Sequence, residues 1–118
     1  MTWDGVRRKA SWTNLALNSA GGSGTCRYCY LDGRVTVQVN VTGAGILTGS
    51  TPTIIVAAAN GLPAELRPSV SEYGLANQGG NQMGFGVINT DGSIAAGAEG
   101  TASATRTTLR FTVNYIPN

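Results

Sequence analysis

The 118 residues contain no histidine, and that removes several chemistries at once. Ser-His-Asp and Cys-His nucleophilic arrangements are impossible, as is any metal site built on imidazole. Cysteine is nearly as scarce. Cys26 and Cys29 make one Cys-x-x-Cys, but a structural zinc site needs two more ligands and there is no third cysteine. The motif lies in a strand-like run, Cys26-Arg-Tyr-Cys-Tyr-Leu31, not at the start of a helix, which fits a thioredoxin-like role poorly. Three apart in a strand, the thiols point to opposite faces and read as small, reduced packing residues. No metal and no cofactor are expected.

Charge is the next shortage. Only 12% of residues are charged and the formal net charge is +2, with Arg7-Arg8-Lys9 supplying three of the eight basic residues. The remainder is close to neutral, so nucleic acid, which wants a clustered basic face, is not an expected partner. Six carboxylates are available: Asp4, Asp32, Glu65, Glu72, Asp91 and Glu99. A glycosidase holds two across a cleft at a fixed separation. Here Asp32 and Asp91 read as turn formers, Asp4 lies in an arm, and the three glutamates lie in or beside loops. The chain is not expected to be an enzyme. Long apolar runs are missing too: the longest, Ile54 to Ala59, is six residues, against about 20 for a membrane-spanning helix. No membrane insertion is expected, and the basic triplet is not followed by the apolar run of a secretion signal.

Glycine, at 17 positions, and abundant Thr and Ser favour turns and strands over helices, and 42% hydrophobic residues suffice for one core. The reading is an arm or upstream connection over residues 1–11 and one all-β domain over 12–118. Strands are expected over Trp12–Leu17 and Thr25–Leu31. Asp32-Gly33 reads as a two-residue hairpin turn. Val35, Val37, Val39 and Val41 then alternate with Thr36, Gln38, Asn40 and Thr42, the period of two expected of a strand with one face buried. A Gly-Thr-Ser loop covers Gly43–Pro52, and a strand apolar on both faces covers Thr53–Ala59. Pro63 and Pro68 make Gly61–Pro68 a docked crossover, with Leu62 or Leu66 buried beneath it. Ser69–Leu75 reads as a strand and Ala76–Gly84 as a polar loop. Phe85–Ile88 and Ser93–Ala96 form a hairpin across Asp91-Gly92, and Gly97–Thr105 is a small-residue loop. Leu109, Phe111, Val113 and Tyr115 alternate along a closing strand. About eight short antiparallel strands with no helix predict a β-sandwich or jelly-roll-like domain.

Several of these stretches resemble the C-terminal head domains of tailed-bacteriophage tail-fibre, baseplate and minor tail proteins. They are Trp12-x-x-Leu15-x-Leu17, Tyr30-x-Asp32-Gly33-x-Val35, Leu62-Pro-Ala-x-Leu-Arg-Pro68, Gly86-Val-Ile-x-x-Asp-Gly-x-Ile94 and the last strand ending near Tyr115. Order and spacing carry the resemblance over roughly residues 12–116. Glu65-Leu66 and the two cysteines depart from the family's pattern. The resemblance implies a virion protein at the distal tail, made in the host cytoplasm, usually homotrimeric, in contact with other tail proteins and binding bacterial-surface saccharide. The alternative is a purely structural tail or capsid-decoration protein. Saccharide sites combine an aromatic face with hydrogen-bonding amides and carboxylates, and the candidates on that basis are Tyr73, Asn77, Gln78, Asn81, Gln82 and Asp91. Ile55, Ala57 and Ala59, the second apolar face of Thr53–Ala59, are candidate trimer contacts.

Overall fold

The computed structural model describes residues 11–18, 22–42, 46–48, 52–78, 83–98, 103–105 and 108–117. Residues 1–10, with the basic triplet, lie outside them, as do Asn81 and Gln82. Ten strands follow in order among the described residues: β1 (Thr13–Asn14), β2 (Ser23–Leu31), β3 (Arg34–Thr42), β4 (Ile46–Thr48), β5 (Thr53–Val56), β6 (Glu72–Asn77), β7 (Met83–Ile88), β8 (Ile94–Ala98), β9 (Ser103–Thr105) and β10 (Thr108–Tyr115). Eight of them form one antiparallel sheet in the order β1-β2-β3-β10-β6-β7-β8-β5, and β4 pairs with β9. Among the described residues the only helical pieces are two single 3-10 turns.

The valine alternation places the core. Val35, Val37, Val39 and Val41 stand opposite Tyr115, Val113, Phe111 and Leu109 of β10, and all eight are buried. Enclosing each valine stabilises the fold by about 1.5–3 kcal/mol at most. Cys26, opposite Val39, extends this face onto β2. Ile55, Val56, Leu62, Ile88, Ile94 and Ala96, from the other end of the sheet, belong to the same cluster. One sheet whose two ends share a core has to curl, and the Asn18 amide donates to the Ile55 carbonyl at 2.7 Å beyond the β5 edge. Two inward glycines permit the curl. A Cβ on Gly86 would collide with the Phe111 ring, and one on Gly74 would meet Val113 Cγ2 at 2.9 Å.

The β2–β3 hairpin turns on Asp32 and Gly33 at φ 54° and 80°, the positive angles a tight primed turn requires. The proline segment is docked, as its sequence predicts. Leu62 is buried and its amide donates to Gly92 O at 3.1 Å, Arg67 Nε donates to Leu62 O at 3.0 Å, and the Tyr115 hydroxyl donates to Leu66 O.

Three elements differ from expectation. The fifth strand stops at Val56: a register shift between Ile54 and Val56 breaks the alternation, so Ile55 and Val56 both turn inward and Ala58–Asn60 wind into a 3-10 turn. The sixth strand starts at Glu72, clear of Pro68, and runs on to Asn77, taking Ala76 out of the expected loop and into the core. The loops expected over Gly43–Pro52 and Gly97–Thr105 each contain a short strand, and these two pair with each other.

A candidate binding face on the outer sheet

Because β3 and β10 are neighbours, residues that alternate with the core positions gather on one outer face. The register aligns Thr25, Asn40 and Arg110 in one row, Arg27, Gln38 and Thr112 in the next, and Cys29, Thr36 and Asn114 in a third. Thr25, Arg27, Gln38, Asn40, Arg110 and Thr112 line a hollow of about 420 Å³, within the range of small-ligand sites.

The side chains there are held by one another. Arg27 donates through Nε and Nη2 to Gln38 Oε1 at 2.9 and 2.7 Å, and its guanidinium lies 4.3 Å from the centre of the Trp12 ring. Arg110 Nε donates to Asn40 Oδ1 at 3.2 Å. Arg34 Nη1 donates to Asn114 Oδ1, and Asn114 Nδ2 to Thr36 Oγ1. Each guanidinium thus meets a neutral amide oxygen rather than a carboxylate, which orients the donors while leaving their charge uncancelled. The three rows hold no Asp or Glu. The face presents fixed donors, hydroxyls and amides.

The predicted site residues are only partly brought together. Asn77 pairs with Arg110 and so extends the first row onto β6. Tyr73, 67% exposed, is on the same side of β6, its ring 6.1 Å from that of Phe85. Gln78 is fully buried and its amide donates to Gly97 O at 3.0 Å: its polarity serves the interior, so it does not present itself to a ligand. Asp91 sits in the β7–β8 turn, at the opposite end of β7 from Met83, the partner of Asn77. Its Oδ1 accepts from the Ser93 hydroxyl and amide at 2.6 and 2.9 Å, and those bonds hold the carboxyl below its ordinary pKa. Of the expected trimer contacts, Ile55 is closed inside its own chain by the β5 irregularity, Ala57 is half-buried and Ala59 exposed. Arg27, Gln38, Asn40, Arg110 and Thr112 were not among the sequence candidates. Their alternation marks a wet face, but nothing local says that β2, β3 and β10 are adjacent.

The eight-stranded antiparallel sheet curled over a single core matches a phage head-domain fold. A solved structure that shares it is the head domain of phage bIL170, described with the receptor binding domains of lactococcal phages: the TM-score is 0.66 and the identity 19%, over 93% of this chain and 100% of that one. No family model matches the chain, and no curated protein matches its sequence.

Proposed function

We propose that the protein is a non-enzymatic receptor-binding module of a bacteriophage tail that attaches to saccharide on the host surface through the outer face of β2, β3 and β10. The observation that carries this reading is the set of guanidinium and amide groups fixed by one another around an open hollow. Hydroxyl-rich ligands are bound by such preorganised donors, because little conformational entropy remains to be lost when the ligand arrives. Asn77 closes the row at β6, where the polar face gives way to Tyr73 and Leu75. Within a virion the module would act as a homotrimer at the distal tail, in contact with other tail proteins.

Binding of the labelled 118-residue chain to susceptible cells tests this. Saturable binding is expected, weakened about tenfold or more by Arg27→Ala or Arg110→Ala, since a charged hydrogen bond contributes about 1.5–3 kcal/mol. Arg110 is exposed, so the thermal midpoint should hold in Arg110→Ala, whereas Arg27 is half-buried over Trp12 and its removal also costs packing. Absence of binding to any susceptible cell would favour a purely structural tail or decoration protein.

A further inference from the structure

Trp12 stands one residue before β1, at the border of the sheet, and is half-buried. Its neighbours set its place. Thr13 pairs with Tyr28 and Asn14 with Arg27, and the Leu15 amide donates to Cys26 O at 2.7 Å. Leu15 and Leu17 pack against the core, so alternation sends Trp12 and Asn14 to the outer surface, the side that carries Arg27. Two residues from Asn14, Trp12 is a diagonal neighbour of Arg27, a separation that two long side chains can bridge. They do bridge it: the guanidinium carbon lies 4.3 Å from the centre of the Trp12 ring, inside the range of a cation–π contact.

Arg27 is therefore fixed from two directions. Trp12 covers a face of the guanidinium, while Gln38 Oε1 accepts from Nε and Nη2 along one edge. The third nitrogen, Nη1, donates to no acceptor among the described residues. Arg34 and Arg110 each rest on an asparagine amide and, among the described residues, on no ring. An arginine on an open sheet samples many rotamers, and a ligand that engages it has first to still them. At Arg27 neutral partners have done so already, and the charge stays available.

We propose that Trp12 is a positioning residue of the binding face: it acts on the ligand through Arg27, holding the guanidinium where Nη1 can serve an acceptor oxygen. The inference rests on the receptor-binding function proposed above and brings the border strand β1 into it. Trp12 does not line the hollow bounded by Thr25, Arg27, Gln38 and Arg110, so its effect passes through Arg27. A role in core packing alone would turn the indole inward with Leu15 and Leu17. Its outward side chain covers a cation instead.

Two measurements on the 118-residue chain test this. In the free protein, nitrogen relaxation of the Arg27 Nε–H group, assigned by its absence in Arg27→Ala, should give an order parameter above about 0.6. Trp12→Ala should bring it below that value and Trp12→Tyr should keep it above, with the thermal midpoint recording any separate loss of stability. On susceptible cells, Trp12→Ala should weaken saturable binding about tenfold, and Trp12→Tyr should stay within about twofold of the wild type. The double variant Trp12→Ala, Arg27→Ala should bind no worse than Arg27→Ala alone, because both changes remove the same contact. An Arg27 group as disordered in the wild type as in Trp12→Ala would overturn the proposal. So would losses that add in the double variant, which would make Trp12 an independent contact. Wild-type binding by Trp12→Ala beside weak binding by Arg27→Ala would overturn it while leaving receptor binding in place. A wild type that binds no susceptible cell would remove both together.

Discussion

Burial sets the titration of two side chains, and with it how the fold responds to alkali. The Cys26 thiol is pushed from 9.0 up to about 12 by desolvation. The Tyr115 hydroxyl is raised from 10.0, chiefly by burial and then by the Glu72 charge. Both protons are held more tightly in the folded chain than in the unfolded one, so their contribution is full below the unfolded pKa values and is lost as pH rises towards the folded ones. The thermal midpoint should therefore fall as pH is raised from 9 through 12. Cys26→Ala should make that fall shallower, at a cost of about 1–2 kcal/mol near neutrality. An equally steep fall in the variant would mean that the thiol does not contribute. A different residue-scale test is Gly86→Ala. Its methyl would occupy the space of the Phe111 ring, an overpacking worth about 1–3 kcal/mol in chemical denaturation. Neither effect was legible in the sequence. Cys26 and Cys29 read as packing residues, and both are buried and free, but only the register sets Cys26 against Val39. Gly86 read as one member of a hairpin motif, because what limits it is a side chain 25 positions away.

Among the elements, the proline crossover is the firmest link between distant parts of the chain. Leu62 seals the core beneath it, Arg67 ties back to Leu62, and Tyr115 holds Leu66 from the end of β10. Leu62→Ala should cost about 2–5 kcal/mol and open the segment to proteolysis, which the native protein should resist there. Tyr115→Phe should cost about 0.5–1.5 kcal/mol for one lost hydrogen bond. Cleavage of the native chain between Gly61 and Pro68 at the rate of an unfolded peptide would show the docking to be wrong. This element was readable because two prolines exclude both helix and central strand whatever surrounds them. The Asp32-Gly33 turn and the valine strand were readable for similar local reasons. The end of β5 was not: Ile54 to Ala59 has no punctuation, and the register shift that turns Ile55 inward follows from pairing with β8.

At the scale of the molecule, the sequence shows which strands have a wet side but not which wet sides become neighbours. β3 and β10 are more than 60 residues apart in the chain, yet they share a ladder from Val35–Tyr115 to Thr42–Thr108, and this ladder builds the polar face. The same order puts the exposed Tyr73 and Leu75 of β6 beside that face. An all-β domain of about eight strands was accessible from alternation and turn chemistry. The gathering of polar side chains onto one face required the topology.

The hydrogen bond from Asn18 to Ile55 also bears on how such a domain behaves in a crowd. Sheets grow by strand addition wherever an edge offers a long row of unpaired amides and carbonyls. Here one border, β1, is only two residues long, and the other, β5, is four residues long and interrupted by its register shift, with Asn18 already on it. Copies held close together therefore have little with which to recruit one another into fibrils. They are left to meet through side chains, so contact between copies does not extend the sheet.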